Sequence, residues 1–247
     1  MNVSRREVLW ASLGALGGLA TGWTYRSWLA GHAPTVHQPH AVLAHASKPT
    51  DLSANEVLAQ LKDGNRRFAE GACIHPHESC DWRARLVEAQ HPHAVVLGCS
   101  DSRVAPEVVF DEGLGELFVV RQAGHVADDD TLGSIEYAVA HLHVPLVVVL
   151  GHEHCGAVTA AVAATQRDEP AEGHMQRLVD DIAPAVPETG AATKEFIDQV
   201  ARANVGLVVR RLRSVGPILR PCVRRGQLRV VGAYYHLDTG QVEWLDC

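Results

Sequence analysis

Two cysteines and one histidine stand where the chain is best placed to bind a metal ion. Cys99 directly follows the apolar run 94–98, and Cys155 closely follows a second apolar run, 146–150. In an open α/β sheet, ligands bind outside the carboxyl ends of the strands, so both thiols are expected at that edge. His152 lies three residues before Cys155, and one turn can point both side chains the same way. Two thiolates and an imidazole suit zinc and leave one tetrahedral position for water, substrate or a carboxylate.

Taken singly, each cysteine has a simpler interpretation. Cys99 fits as a small buried hydrophobic residue, and Cys99 with Cys155 fits as a disulfide. The residues that follow Cys99 favour a functional site, because Asp101 comes two positions later and Arg103 two positions after that. Such a carboxylate can accept a hydrogen bond from a zinc-bound hydroxide or ligate the zinc itself, while the planar guanidinium holds it in place.

From residue 51 onward, short apolar runs alternate with amphipathic stretches, a pattern typical of βα units around a mostly parallel sheet. Ser53 and Glu56 form a capping-box pattern that predicts a helix over 53–70. Buried parallel strands are predicted over 94–98, 117–120, 146–150 and 228–233, with an antiparallel or edge strand over 242–245. Further helices are predicted over 81–90, 131–143, 156–165, about 172–183 and 193–214. We therefore expect an α/β fold, with helices flanking four parallel strands and one antiparallel strand.

Two motifs about fifty residues apart resemble the signature pair of the β-class carbonic anhydrases: residues 99–104 (CSDSRV) and 151–156 (GHEHCG). The first hexapeptide is highly specific, and the pair is more so. The similarity runs from about residue 54 to the C-terminus and includes residues 64–68 (GNRRF), 115–121 (GELFVVR) and 135–139 (IEYAV). It leaves out the first fifty residues. The resemblance implies a β-carbonic anhydrase-like fold for a catalytic domain at 51–247.

Carried over position by position, the resemblance implies specific roles for site residues. The implied zinc ligands, for one Zn²⁺ per chain, are Cys99, His152 and Cys155. The dyad beside the metal is Asp101 and Arg103, with Asp101 a fourth ligand in a closed state. The implied substrate-binding residues are Gln90, Phe118, Ala123 and Tyr137. His154 is then not a ligand. Val96 stands where the bicarbonate-regulated branch carries tryptophan, so the chain resembles the unregulated branch. The resemblance also implies a homodimer or homotetramer with its active-site cleft at the interface.

The chain departs from the family pattern just after Arg121. The family has an asparagine, two variable residues and a second asparagine there, where this chain has Gln122, Ala123, Gly124 and His125. Gln122 keeps the amide function at greater length. His125 places a titratable imidazole near the expected cleft, able to alter the pH dependence or to act as a proton acceptor. Neither change touches an implied ligand, so both bear on catalytic efficiency more than on reaction type.

The expected activity is the reversible hydration of CO2 to bicarbonate and a proton. Zinc lowers the pKa of bound water to roughly 7, so hydroxide forms at neutral pH and attacks CO2 in a small apolar pocket beside Gln90. Hydrolysis of CS2 or COS at the same zinc site is one alternative. A non-catalytic zinc-binding or zinc-buffering protein is another, suggested by fifteen histidines. The pair Asp101 and Arg103 favours catalysis, because storage needs neither residue.

The N-terminal residues indicate export. Arg5 and Arg6 precede residues 8–25, which carry no charge and are rich in Ala, Leu and Gly, as in a twin-arginine signal read by the Tat export machinery. We expect a signal over 1–33, or an uncleaved anchor, and an exported, periplasmic or extracytoplasmic protein. Cleavage after Ala33 and cleavage after Ala46 both remain open. Residues 34–50 contain several prolines and histidines and are interpreted as a linker.

Charge and cysteine content limit the possible partners and disulfides. The net charge of −7 and the absence of any long Lys or Arg run exclude a nucleic-acid partner. Removing residues 1–46 takes away three basic residues and one acidic residue, so the mature charge would be −9. After export, Cys73 and Cys80 are close enough in sequence to pair, and Cys222 and Cys247 lie toward the C-terminus. Disulfides and free thiols both remain open for these four.

Overall fold

The computed structural model describes residues 50–247. The predicted signal or anchor at 1–33, and the predicted linker at 34–50 except for Thr50, lie outside these residues. Within the described part of the chain, no helix is long and apolar enough to cross a membrane.

Helices and strands alternate along the described residues. The helices are α1 (Ala54–Ala69), α2 (Cys80–Arg85), α3 (Pro106–Val109), α4 (Asp129–His141), α5 (Gly156–Arg167), α6 (Met175–Ile182), α7 (Lys194–Ser214) and α8 (Leu219–Arg224). The strands are β1 (Ala94–Gly98), β2 (Leu117–Arg121), β3 (Leu146–His152), β4 (Arg229–Tyr235) and β5 (Val242–Leu245). Short 3₁₀ turns cover Ala123–His125 and Ala183–Ala185.

The five strands form one sheet in the order β2-β1-β3-β4-β5. β1 pairs in parallel with both β2 and β3, β3 pairs in parallel with β4, and β5 is antiparallel to β4. The register sets Ala94 beside Leu117 and Leu146, so that three strands begin at one edge. The α/β fold, with four parallel strands and one antiparallel edge strand, is confirmed.

Helices cover both faces of the sheet. On one face, Val95 and Leu97 pack with residues of α4 and α7, such as Ile135 and Val209. On the other face, residues of alternate position, such as Val96, pack against α1. Because both faces are covered, all five residues of β1 and all seven of β3 are buried. This explains why these strands are continuous apolar runs in the sequence.

Most of the predicted elements are observed, and the differences have physical reasons. Ser53 and Glu56 form the expected capping box at the start of α1. The helix predicted over 81–90 ends at Arg85. It has no buried residue, and without tertiary packing so short a helix gains too little to continue. Two short helices, α3 and α8, were not predicted, although Pro106 at the start of α3 is a regular helix-start signal.

Candidate metal centre and active site

The carboxyl ends of β1 and β3 bring the candidate ligands together. The two strands are parallel neighbours, with Gly98 opposite Leu150, and β3 continues two residues further to His152. Cys99 is the residue after β1, and Cys155 caps the start of α5. All three side chains are buried: Cys99 is 4% exposed, and His152 and Cys155 are 0% exposed. The expectation that both thiols reach the same sheet edge is confirmed.

The spacing of the three ligand atoms fits a tetrahedral zinc ion. The sulfurs of Cys99 and Cys155 are 3.9 Å apart, and all three ligand atoms lie within 4.8 Å of one another. Two thiolates bound to tetrahedral zinc at about 2.3 Å stand about 3.8 Å apart. A disulfide would need a sulfur–sulfur distance of about 2.05 Å. The disulfide alternative is therefore wrong for this structure, in which all six cysteines are free.

His152 is oriented as a ligand. Its Nδ1 lies 2.8 Å from the backbone carbonyl of Glu153, so the proton belongs on Nδ1 and the lone pair on Nε2. Nε2 is buried and has no hydrogen-bond partner. A buried polar atom without a partner costs free energy unless something else, such as a metal ion, satisfies it. His154 is not in this cluster; its side chain is 47% exposed and lies 3.9 Å from Asp198.

The two thiols act as a coupled pair. A hydrogen bond from Cys155 lowers the pKa of the Cys99 thiol, although burial opposes this. The same hydrogen bond, together with burial, raises the pKa of Cys155. The backbone N–H of Gly124 lies 3.4 Å from the Cys99 sulfur and supports negative charge there. The two thiols thus differ in how readily they ionise. A divalent cation bound between the sulfurs would remove this difference, because coordination deprotonates both thiols.

Asp101 and Arg103 form a two-pronged ion pair beside the three ligands. Nε of Arg103 donates to Oδ1 of Asp101 at 2.9 Å, and a terminal nitrogen donates to Oδ2 at 2.7 Å. These hydrogen bonds hold the pKa of Asp101 well below its usual range, so it is ionised at neutral pH. Oδ2 also lies 4.0 Å from Nε2 of His152. The carboxylate is thus next to the ligand cluster but is held by arginine.

Arg121 holds the backbone of the loop that carries Cys99 and Asp101. Its Nε donates to the carbonyl of Cys99 at 2.9 Å, and a terminal nitrogen donates to the carbonyl of Asp101 at 2.6 Å. In the sequence, Arg121 lies in a family motif, and no role was predicted for it. The available signal was its position at the end of β2, level with Gly98, which the parallel register of β1 and β2 fixes.

His125 is buried behind the ligands. It is 0% exposed, its Nε2 lies 3.0 Å from the amide nitrogen of Asn204, and burial lowers its pKa to about 4. The suggested role of His125 as a proton acceptor in the cleft is wrong for this chain, because the imidazole does not reach solvent. Gln122 donates to Asp128 at 2.6 Å and so braces the start of α4.

The four candidate substrate-binding residues fall into two groups. Ala123 precedes Gly124 and so lies next to the Cys99 sulfur. Phe118 lies opposite Val95, four positions before Cys99, and its ring centroid is 6.2 Å from that of Tyr137. Tyr137 and the exposed Gln90 line one cavity of about 260 Å³. Phe118 and Gln90 are therefore each close to Tyr137.

The parallel sheet with two thiols and an imidazole at its carboxyl edge defines an α/β zinc enzyme. Residues 94–242 match the family model described as carbonic anhydrase. The chain is 45% identical over 193 residues to the carbonic anhydrase of Mycolicibacterium smegmatis, an alignment that covers 77% of this chain and 94% of that protein. It is also 45% identical over 191 residues to carbonic anhydrase 2 of Mycobacterium tuberculosis, covering 76% and 92%.

Among solved structures, a tetrameric β-carbonic anhydrase from the filamentous ascomycete Sordaria macrospora is similar, with a TM-score of 0.61 and 26% identity over 78% of this chain and 98% of that one. The chain belongs to the carbonic anhydrase family, in its β class. It is accordingly an enzyme that hydrates CO2 reversibly with zinc as cofactor.

Proposed function

We propose that this chain hydrates CO2 at the carboxyl edge of β1 and β3, with Cys99, His152 and Cys155 holding the zinc. The observation that carries the proposal is the 3.9 Å separation of the two sulfurs beside the partnerless Nε2 of His152. When bound there, zinc makes a coordinated water acidic enough to deliver hydroxide near neutral pH.

In this proposal Asp101 and Arg103 act on the attacking water. An ionised carboxylate only accepts hydrogen bonds, so Asp101 orients the water by accepting a hydrogen bond from one of its O–H groups. Oδ2, the oxygen 4.0 Å from His152, is the atom in position to do so. Arg103 keeps the carboxylate from approaching the ligands itself, because both oxygens are engaged by its guanidinium. A protein that only stored zinc would need neither residue.

The direct test is replacement of each ligand. Cys99→Ala, His152→Ala and Cys155→Ala should each lose the zinc bound at this site and abolish CO2 hydration, measured by metal analysis against wild type and by stopped-flow assay. His154→Ala is the matched control and should keep its zinc, because that imidazole lies outside the cluster. A ligand variant with full zinc and full activity would remove that residue from the site. CS2 and COS turnover measured beside CO2 hydration shows whether either alternative substrate is preferred.

We also propose that the chain assembles into a homodimer or homotetramer. β2 is an edge strand of the described sheet, and several large apolar side chains near it are exposed: Val87, Leu114 and Tyr137. A second subunit docked on this side would cover them and would bring Gln90, Phe118 and Tyr137 to the active-site cleft at the interface. The related Sordaria protein is a tetramer. Light scattering should give the mass of a homodimer or homotetramer, and a monomer at micromolar concentration would contradict the proposal.

We also propose export through the twin-arginine pathway to the periplasm or another extracytoplasmic space. The support is Arg5 and Arg6 ahead of eighteen uncharged residues. Replacing both arginines by lysine should retain the protein in the cytoplasm, folded and active, as fractionation and assay would show. Normal export of that variant would reject the twin-arginine signal. Recovery of the full-length chain in the membrane fraction would identify the segment as an anchor.

A further inference from the structure

A second group of metal-binding side chains lies at the amino end of the sheet. His93 precedes β1, and Glu112 and Glu116 lie in the loop before β2. Their nearest ligand atoms all lie within 4.8 Å of one another. The parallel register of β1 and β2 and a backbone hydrogen bond from His93 to the carbonyl of Glu116 bring them together. His93 and Cys99 are six residues apart in extended chain, roughly 20 Å, so this group is separate from the zinc site already described.

The group is buried and incompletely paired. The side chain of His93 is 9% exposed, that of Glu112 is 2% exposed and that of Glu116 is 13% exposed. Nε2 of His93 lies 3.5 Å from Oε2 of Glu112, yet neither Nε2 nor Oε1 of Glu112 has a hydrogen-bond partner. Buried polar atoms without partners are rare, and here two of them belong to residues whose ligand atoms lie within 4.8 Å of one another.

The charges of the group point to a cation. Two carboxylates lie close together, and among the described residues neither forms an ion pair with Lys or Arg. Their only ion-pair partners are imidazoles, His93 for Glu112 and His77 for Glu116. Burial raises the pKa of Glu112, which reflects the cost of its charge in this place. A divalent ion would cancel both negative charges and satisfy the free nitrogen and oxygen at once.

We propose that His93, Glu112 and Glu116 bind a second divalent cation of the first transition row, with zinc as the reference ion. One imidazole and two carboxylates suit such an ion, and ligands on tetrahedral zinc at about 2.0–2.1 Å stand about 3.3 Å apart. The 3.5 Å between His93 and Glu112 is close to that spacing. Mg²⁺ and Ca²⁺ prefer oxygen ligands alone, and the imidazole disfavours them.

Neighbouring residues hold the ligands and show what the ion would do. His77 lies 2.8 Å from Oε1 of Glu116, and the backbone N–H of Gly113 donates to Oε2 at 2.6 Å. The ring of His77 stacks on Trp82 at 3.7 Å. A bound ion would therefore fasten the loop that carries His77 to the amino edge of β1 and β2. Its role is structural, and the catalytic ligands do not depend on it.

The test is metal stoichiometry of the full-length protein. After equilibration with zinc and dialysis against metal-free buffer, wild type should hold one more zinc per chain than His93→Gln or Glu112→Gln. His174→Gln, at an exposed histidine outside the group, is the control and should match wild type. The histidines of residues 34–50 are present in every variant, so any zinc that they bind cancels in the comparison. Equal zinc content in wild type and both variants would overturn the proposal. The close approach of the three side chains would then be explained by a proton shared between them.

Cobalt distinguishes the two sites by their ligands. Co²⁺ on thiolates gives intense charge-transfer absorption, whereas a site of one imidazole and two carboxylates gives weak bands only. His93→Gln should keep the thiolate bands, and Cys155→Ser should lose them while still binding one ion. In Cys155→Ser, zinc at one hundred times its dissociation constant should raise the Tm by about 5–10 °C. Absence of that shift, with no remaining ion in Cys155→Ser, would also overturn the proposal.

Discussion

Arg121 provides a sharp test of how the ligand loop is positioned, because it touches that loop only through backbone carbonyls. Its two hydrogen bonds go to the carbonyls of Cys99 and Asp101, at 2.9 and 2.6 Å. Arg121→Met keeps the length of the side chain and removes both donors. Arg121→Lys keeps the charge, but its single nitrogen cannot reproduce the planar fork. We expect zinc affinity to fall in both variants, with lysine between wild type and methionine.

The magnitude follows from the two bonds. A hydrogen bond from a charged donor contributes about 1.5–3 kcal/mol, and the exposed position of Arg121 favours the lower end of that range. The pair then contributes about 3 kcal/mol to the order of the loop. In the variants, zinc binds to a loosened loop and most of this hydrogen-bond free energy is lost. Zinc affinity then falls about 10- to 100-fold, because 1.4 kcal/mol corresponds to a factor of ten. Loss of groups that orient metal ligands is typically of this size.

The assay is competition for zinc against a chelator, with CO2 hydration measured at saturating zinc. Arg66→Met is the matched control, because Arg66 is an exposed helix residue that forms only surface ion pairs. Excess zinc should restore much of the activity of Arg121→Met, because the ligands themselves are unchanged. A zinc affinity within twofold of wild type, with an unchanged Tm, would show that Arg121 does not position the loop.

Three further predictions concern the dyad and the stability of the domain. Arg103→Ala frees Asp101 to compete with water for the metal, so CO2 hydration near neutral pH should collapse while zinc analysis shows full occupancy, and activity should recover partly on the alkaline side. Gly64→Ala places a methyl carbon 1.8 Å from a backbone carbonyl and should cost about 2–3 kcal/mol in urea unfolding, whereas Gly133→Ala, in open space, should not destabilise. Burial opposes ionisation of Asp111, but hydrogen bonds from an arginine and two backbone amides outweigh it and lower its pKa. Its stabilisation is therefore present at neutral pH and is lost as the pH falls from about 4 through the lowered folded-state pKa, so Asp111→Asn should flatten the acid limb of the stability curve.

The parallel core of the fold could be predicted because it is covered on both faces. β1 and β3 are apolar at every position, which marks a buried parallel strand in the sequence. The helices α1 and α7 carry clear caps at Ser53 and Thr193. The extent of α2 could not be predicted, because local propensity continues through residues 86–90 while the packing that would support a helix is absent.

The grouping of the candidate metal ligands could be predicted because the motif is local. Cys99 and Asp101 are two residues apart, and His152 and Cys155 are three apart, so only the adjacency of β1 and β3 had to be inferred. The environment of His125 was not predictable in this way. Its burial depends on Asn204, 79 residues later on α7, and on Gly151, where an added methyl carbon would lie 3.4 Å from the imidazole ring. No spacing rule in the sequence connects those three positions.

The same register that brings the candidate zinc ligands together also brings the second group together at the other end of β1. Parallel pairing aligns Gly98 with Arg121 at one end of β1 and Ala94 with Leu117 at the other, so residues about 20 positions apart meet at both ends of the strand. At the carboxyl end, the thiols draw attention because cysteine is a scarce residue type. At the amino end, histidine and glutamate are common, and only burial distinguishes the side chains of His93 and Glu112 from solvated ones. Since burial comes from packing against distant residues, a metal site built from common side chains becomes visible only once the fold is known.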